Sequence, residues 1–306
     1  MPELKLTLET VTPLFLGGAD PQEPPELRPP AFRGAMRYWL RAALGGVLGD
    51  GDLDALRLLE SRVFGSTVAA SPISVRLTGN LEADRYPILP HKQNGHSREG
   101  GQRRAFGPDQ TFDLVLEQPP ELGSGATWKA GCAALNLMLT CGGVGLRSRR
   151  GYGTLRAVRS TAPELVPPSP DSISGWRRRV KEAIEGAVAA ARFLARDQSM
   201  AVVRSPAGPA QFPCLGGATT VRVYDVRAHS AMDAVRQFMS KVPRNPAFGG
   251  ISPRQASPLW VRPIATGRTY GLLFIILPSR FSRADYDRVE GFLKANFSIR
   301  HAGQEE

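Results

Sequence analysis

Residues 142–153 read Gly-Gly-Val-Gly-Leu-Arg-Ser-Arg-Arg-Gly-Tyr-Gly, and this stretch is called the glycine loop below. Its glycines let the backbone adopt positive φ angles and turn its amide groups outward. Arg147, Arg149 and Arg150 add fixed positive charge to the same short segment. Such a loop is suited to binding phosphates. The alternative, a solvated turn that carries arginines by chance, remains open at this point.

The segments on either side of the glycine loop indicate its place in the fold. The apolar run 132–141 predicts a buried helix, with Gly142 and Gly143 as its left-handed cap. Beyond the loop, Leu155 and Ala157 alternate with their neighbours and predict a strand. A dinucleotide fingerprint lies between a strand and a helix, and a Walker loop needs a Lys-Ser/Thr pair, so both are excluded. The pattern favours a loop for a polyanion backbone.

The residues before the glycine loop complete one domain. Leu4, Leu6 and Leu8 predict an opening strand, and a helix is expected to start near Ala31 after a proline-rich approach. A short helix and two strands are expected at 53–64, 73–77 and 112–116. The main order is then strand, helix, strand, strand, helix, strand. That order is typical of a ferredoxin-like, or RRM-like, domain.

The exposed face of this predicted sheet is polar. Alternation places on it Lys5, Thr7, Arg76, Asp113, Glu117, Tyr152 and Arg156. A standard RRM stacks bases on aromatic side chains at this face, and this face is poor in them. RNA contact is therefore expected mostly from loops and helix ends, with Phe106 or Tyr152 as possible stacking rings that could equally belong to the core.

A row of arginines begins at the start of the helix near Ala31. Arg28 and Arg33 lie at its N-terminus, where free amides and the helix dipole favour anions, and Arg37 and Arg41 continue the row at a spacing of four. This row predicts a second phosphate site. The alternative, in which these arginines cap sheet edges or pair with acids such as Glu26, remains open.

A basic insertion separates the two middle strands of the domain. Residues 84–110 lack periodicity, are polar and glycine-rich, and carry Lys92, Arg103 and Arg104. An irregular stretch of this length is uncommon in a compact domain unless it binds a partner or is disordered. We expect these three side chains to contact RNA and the insertion to become ordered on assembly.

The second half of the chain predicts a further α+β domain. Four prolines between residues 161 and 171 predict a stiff linker. The elements expected after it are a helix at 172–196, a strand at 221–226, a helix at 231–239, a hairpin of 258–264 with 270–277, and a helix at 283–296. The fold class is therefore α+β, with domains at 1–162 and 163–306.

The overall composition indicates an acidic partner. The 306 residues carry a net charge of +11 and a pI of about 10.1, and nucleic acid is the commonest partner of such chains. No apolar run reaches the roughly twenty residues of a membrane span, and the first residues alternate, so a cytoplasmic protein is expected. Three cysteines without a C-x-x-C pair predict neither a disulfide framework nor a metal site, and no cofactor is expected.

Together these motifs resemble the RAMP superfamily of CRISPR proteins, and within it the first RAMP subunit of the type III-B (Cmr) effector complex. The stretches that carry the resemblance are residues 12–20, 26–41, 64–66, the glycine loop and 256–259. The resemblance implies two tandem ferredoxin-like domains and a non-catalytic subunit near the 3′ end of the CRISPR RNA, beside another RAMP subunit, that helps engage target RNA. The RNA-facing residues it implies are Arg28, Arg33, Arg37, Arg41, Gly143, Gly145, Arg147, Ser148, Arg149, Arg150, Gly151, Tyr152 and Gly153.

Three other functions stay open on the sequence. RAMP relatives include nucleases that process CRISPR RNA with a histidine, and His91 and His96 lie in the basic insertion, without an orienting carboxylate nearby in sequence. Backbone RAMP subunits cut target RNA with a loop aspartate, and Asp20 is such a residue, although it also suits a turn beside glycines. The third possibility is a protein-protein end cap whose basic surface meets an acidic neighbour.

Overall fold

The structure is a computed structural model that describes residues 1–18, 23–92, 99–203, 208–243, 245, 248–251, 254–280 and 286–297. Its elements in chain order are β1 Glu3–Thr10, α1 Pro29–Leu48, α2 Leu53–Phe64, β2 Ser74–Thr78, β3 Ala83–Lys92, β4 Glu99–Phe106, β5 Thr111–Glu117, α3 Gly125–Cys141, β6 Leu155–Ser160, α4 Ile173–Asp197, β7 Thr220–Ala228, α5 Ala231–Met239, β8 Gly250–Ile251, β9 Arg254–Gln255, β10 Leu259–Ala265, β11 Tyr270–Ile276 and α6 Tyr286–Phe297. Among the helices of these ranges, none combines the length and the apolar character needed to cross a bilayer.

The first half of the chain forms a four-stranded antiparallel sheet with the order β2-β5-β1-β6. The leucines of β1 all face inward, as their alternation predicts, and Leu6 lies opposite Leu114 of β5. Phe32 and Trp39 of α1 and Leu135 of α3 are fully buried in the same core cluster as these leucines. The core of the first half therefore lies between the sheet and these two helices.

The outer face of this sheet is covered by ion pairs. Three cross-strand pairs lie on it: Lys5–Asp113 at 2.9 Å, Arg156–Glu9 at 2.7 Å, and Arg76–Glu117. Tyr152, which alternation placed on this face, is instead fully buried. Its ring packs on Phe15 with centroids 5.3 Å apart, and its hydroxyl donates to the Pro87 carbonyl at 2.7 Å. The expectation for Tyr152 is wrong because the residue precedes β6 in a turn, where strand alternation does not apply.

The basic insertion is largely a β-hairpin, so the prediction of irregular structure over 84–110 is wrong. Strands β3 and β4 pair in antiparallel register, with Arg85 opposite Arg104. Tyr86 and Ile88 of β3 pack against the core cluster that includes α5. Prolines in β3 and glycines in β4 obscure the alternation, and contacts with a helix from the other half of the chain select the strand conformation.

The second half forms a three-stranded antiparallel sheet with the order β10-β11-β7. One face packs on α5 and α6, where the Phe274 ring lies 5.6 Å from that of Phe238 and 5.2 Å from that of Phe297. The other face contributes Leu273 and Ile275 to the core cluster of the first half. Helix α4 also belongs to that cluster and packs against α1 and α3. The core cluster of the first half therefore continues into the second half, beside the separate cluster that includes α5 and α6.

A segment at 211–215 crosses the surface of α1. The Leu215 N–H donates to the Ala42 carbonyl at 2.8 Å, and the Gln211 N–H donates to the Asp50 carboxylate at 2.8 Å. The Arg280 guanidinium also donates to Asp50. The end of α1 is thus tied to two parts of the second half by a single carboxylate.

The Asp50 carboxylate gives a testable pH dependence. Its hydrogen bonds from Arg280 and from the Gln211 backbone hold the pKa of Asp50 below its usual range. A carboxyl whose folded-state pKa is depressed stabilises the fold above its unfolded pKa, and this contribution is lost as pH falls through the folded value. The Asp50→Asn change should therefore lower the free energy of unfolding near neutral pH, by less than about 1 kcal/mol for an exposed pair. Chemical denaturation should show that the stability difference between the wild type and Asp50→Asn shrinks from neutral pH toward pH 3. An equal stability difference near neutral pH and at pH 3 would contradict this role.

The three cysteines, Cys132, Cys141 and Cys214, are free and buried. Cys132 and Cys141 belong to α3, and burial raises the pKa of both thiols to about 12. At neutral pH they are protonated thiols that act as small apolar side chains in the core.

Candidate nucleic-acid interface

The glycine loop and the segment 12–18 after β1 form one structural unit. The Leu146 N–H donates to the Phe15 carbonyl at 3.1 Å, and the Gly153 N–H donates to the Pro13 carbonyl at 3.0 Å. Two stretches that lie about half the chain apart in sequence are thereby held side by side. Each one helps to define the conformation of the other.

The predicted left-handed cap of α3 at Gly142 and Gly143 is wrong, because neither glycine has a positive φ. Gly142 has a φ of −122°, and the glycine is needed because a Cβ would overlap the indole of Trp39. The left-handed positions lie further on: Gly145 at φ 83°, Arg147 at 59°, Gly151 at 87° and Gly153 at 59°. At Gly145 a side chain would also overlap the Phe15 carbonyl. The loop therefore reverses direction several times in succession, and this exposes some of its amide groups.

The exposed part of the loop presents unpaired hydrogen-bond donors. Gly145 is exposed, while Arg147 and Ser148 are half-buried. Among the residues that the structure describes, the backbone N–H groups of these three residues have no acceptor, and neither does the Arg147 guanidinium. Partial burial lowers the pKa of Arg147, but an arginine stays protonated at neutral pH. A cation and three free amides thus lie within four consecutive residues, a combination that suits an anion.

Arg28 extends this surface from the neighbouring loop. Its Nη1 donates to the Gly17 carbonyl at 3.2 Å, and Gly17 belongs to the segment 12–18 that holds the glycine loop. Glu26 lies 3.8 Å from Arg28, a loose and largely exposed ion pair. Exposed ion pairs are weak and easily exchanged. The loop surface is defined below as Gly17, Arg28, Gly145, Arg147 and Ser148.

Arg149 and Arg150 contact the second half of the chain. The Arg149 guanidinium donates to the Ser257 carbonyl and lies 5.0 Å from the rings of both Tyr38 and Trp260. Arg150 donates to the Phe248 carbonyl, and burial lowers its pKa to about 10. These two arginines attach the glycine loop to the sheet of the second half.

Arg262 of β10 holds both ends of the glycine loop, and sequence reasoning missed it. Its side chain is 1% exposed and donates to the Gly142 carbonyl at 2.9 Å and to the Leu155 carbonyl. The guanidinium lies 5.4 Å from the Trp176 ring, and burial lowers its pKa to about 9. The available signal was a single arginine within the apolar run Leu-Trp-Val-Arg-Pro-Ile. A charge in a buried strand needs specific partners.

The arginine row on α1 divides into paired and unpaired members. Arg37 and Arg41 both donate to the buried Glu60 carboxylate, at 2.9 Å for Arg37 Nη1 and for Arg41 Nη2. Arg33 has a buried Nε without a partner among the residues described. The alternative of pairing with acids thus applies to Arg37 and Arg41, whose acid is Glu60, and to Arg28, which forms the loose ion pair with Glu26.

The remaining predicted residues are dispersed. Arg103 and Arg104 are exposed on β4, and Lys92 ends β3. Gly143, Gly151, Tyr152 and Gly153 are buried in the glycine loop, and the Phe106 ring is also buried. Asp20 and His96 lie outside the described residues, as does the side chain of His91. The described residues therefore bring Arg28, Gly145, Arg147 and Ser148 together, and keep the hairpin arginines on a separate element.

Comparison with known proteins agrees with this architecture. The profile of the RAMP superfamily matches residues 7–156. Over 168 residues the chain is 32% identical to the CRISPR system Cmr subunit Cmr1-1 of Pyrococcus furiosus. This matched region covers 52% of this chain and 48% of that protein. Over 183 residues it is 30% identical to Cmr1-2 of the same organism. This second matched region covers 51% of this chain and 95% of that protein. The matched region thus spans about half the length of Cmr1-1.

Two solved structures share the fold over nearly the whole chain. The crystal structure of apo Cmr1 from Pyrococcus furiosus superposes with a TM-score of 0.68 at 21% identity, covering 97% of this chain and 98% of that one. A chain of the type III-B Cmr-beta complex bound to cognate target RNA superposes with a TM-score of 0.58 at 11% identity. The match covers 95% of this chain and 98% of that one. This chain belongs to the RAMP superfamily, as a homologue of the Cmr1 subunits.

Proposed function

We propose that this chain is a non-catalytic RNA-binding subunit of a type III-B (Cmr) CRISPR ribonucleoprotein. In this proposal it lies near the 3′ end of the CRISPR RNA and helps capture target RNA in antiviral defence. The observation that carries the proposal is the loop surface, where Arg147 and three backbone amides have no acceptor among the described residues. A chain with a net charge of +11 is well suited to a phosphate backbone at such a surface.

The proposed partners are CRISPR RNA, target RNA and other RAMP subunits, in a cytoplasmic complex. Two relatives carry the name of Cmr subunits, and a chain of similar fold belongs to a Cmr-beta complex bound to cognate target RNA. In this proposal, the loop surface contacts RNA through its backbone amides and arginine side chains. Such groups bind phosphates and do not distinguish one base from another. We therefore expect little sequence preference from this surface.

The proposal includes two tandem ferredoxin-like domains, at 1–162 and 163–306. The sheet order β2-β5-β1-β6, with α1 after β1 and α3 after β5, supports the first domain. In the second half, β7, α5, β10, β11 and α6 follow the same order as far as the second helix. The sheet order β10-β11-β7 is the corresponding part of the ferredoxin-like sheet.

One gel experiment tests the proposed function. The purified chain is incubated with labelled CRISPR RNA and with an unrelated single-stranded RNA at several salt concentrations, and both binding and cleavage are scored. Binding of both RNAs, weakened steeply by salt and without cleavage, is the expected result, because backbone contacts release counterions. Metal-independent cleavage that is abolished by changing His91 or His96 would instead identify a nuclease that processes CRISPR RNA.

A further inference from the structure

A cavity of about 470 Å³ opens between α1, α2 and the segment 211–215. Its walls are mainly apolar and aromatic, and they include Tyr38 of α1, Leu53 and Leu56 of α2, and Phe212 of the segment 211–215. Pockets for small ligands have volumes of roughly 300–1,000 Å³, mostly apolar walls and a few polar groups. The cavity thus has the size and lining of a ligand site, and its lining residues differ from those of the loop surface.

The wall at 211–215 is held in place by the local structure. The hydrogen bonds of Leu215 to Ala42 and of Gln211 to Asp50 fix its two ends. The Phe212 ring lies where a Cβ of residue 45 would be, so it reaches this position only because residue 45 is glycine. Phe212 is therefore positioned before any ligand arrives, and little ordering is required when one binds.

The mouth of the cavity is positively charged. Arg41 and Arg57 line the cavity together with Glu60, so its lining side chains carry one net positive charge before the ion pair of Arg57 with Asp54 is counted. Glu60 accepts from both Nε and Nη2 of Arg41, an arrangement that fixes the guanidinium plane. The Nη1 group of Arg41 has no acceptor in the part of the chain that the structure describes, and half of the side chain is exposed. Arg57 is 74% exposed, in an ion pair with Asp54.

We propose that this cavity takes the base of one nucleotide of the bound RNA, stacked against the rings of Tyr38 and Phe212, with the adjoining phosphate at Arg41 and Arg57. Flat aromatic walls beside arginines are how proteins hold single-stranded bases. Arg41 is also the last member of the α1 arginine row, so the cavity lies at the end of a basic helix face. This inference depends on the proposed function, because it specifies how the same RNA is held.

The test compares two variants of α2 that carry the same change in charge. Leu53 and Leu58 are both 42% exposed, but only Leu53 lines the cavity. Binding of the purified full chain is measured with a single-stranded RNA and with an RNA of equal length whose bases have been removed. Leu53→Asp should bind the intact RNA about tenfold more weakly than Leu58→Asp, because a carboxylate would replace an apolar wall of the cavity that holds the base; tenfold corresponds to about 1.4 kcal/mol. The two variants should bind the abasic RNA equally.

The possible outcomes separate this inference from the proposed function. Equal binding of intact RNA by Leu53→Asp and Leu58→Asp, with normal salt-dependent binding by the wild type, would overturn the base site alone. Loss of assembly with partner subunits by Leu53→Asp, without a change in RNA affinity, would also overturn it and would identify a protein ligand. Absence of RNA binding by the wild type would overturn the proposed function together with this inference. Unfolding curves of both variants verify that each is folded.

Discussion

The Gly46→Ala change is expected to lower the free energy of unfolding by about 3 kcal/mol. Gly46 is buried in α1, and a Cβ at this position would overlap the carbonyl oxygen of Leu215. The carbonyl belongs to the backbone, and the hydrogen bond of the Leu215 N–H to Ala42, 2.8 Å long, holds it against the helix. The segment 211–215 must therefore move away, and the contact between the two halves of the chain loosens.

Gly34 in the same helix provides the matched control. It is exposed, and a Cβ there would meet no atom within 4 Å. Gly34→Ala should raise the free energy of unfolding by about 0.5–1 kcal/mol, because alanine has the higher helix propensity. Chemical denaturation of the two variants should therefore show stability changes of opposite sign for the same substitution in one helix. A stability change of the same sign and size in both would contradict the close contact at Gly46.

Arg149→Ala is expected to lower the free energy of unfolding by about 2–3 kcal/mol. The change removes a charge-assisted hydrogen bond to the Ser257 carbonyl and the contacts of the guanidinium with the Tyr38 and Trp260 rings. A hydrogen bond from a charged donor contributes about 1.5–3 kcal/mol, and a cation-π contact about 0.5–2 kcal/mol. The Ser257 carbonyl, which is nearly buried, would also lose a donor.

Arg147→Ala, two positions earlier, is the control for this second prediction. The Arg147 guanidinium has no hydrogen-bond acceptor and no carboxylate partner among the residues that the structure describes, so its removal should change the free energy of unfolding by less than about 0.5 kcal/mol. Thermal or chemical unfolding of both variants distinguishes the two roles. If Arg147→Ala destabilised the chain as much as Arg149→Ala, the division of the loop into an outward and an inward part would be wrong.

Much of the fold follows from periodicity. Helices α2 and α5 lie at the predicted residues, 53–64 and 231–239, because each carries a regular apolar stripe and a capping residue, Asp52 or Ser230. The hairpin of β3 and β4 could not be predicted in this way. Its strands are polar on the exposed side, and the contact that stabilises them comes from a helix more than a hundred residues later.

The candidate site was only partly predictable, for a related reason. The sequence places Arg147, Arg149 and Arg150 within four residues, and charge alone treats them alike. In the structure, Arg149 and Arg150 donate to the carbonyls of Ser257 and Phe248, whereas Arg147 has no acceptor among the described residues. These carbonyls lie about a hundred residues away in sequence, and the fold brings them beside the loop. Arg262 was detectable, since a single charge in a buried strand indicates a specific internal partner.

The salt dependence of RNA affinity tests the central claim, that the loop surface binds the RNA backbone. The double variant Arg28→Ala/Arg147→Ala is compared with Arg177→Ala/Arg178→Ala, which removes two exposed charges from α4. On single-stranded RNA each lost phosphate contact should reduce the slope of log affinity against log salt by about 0.7. The account predicts a reduction of about 1.4 for the loop-surface variant and no change in slope for the α4 variant. Equal slopes in the two variants would contradict it.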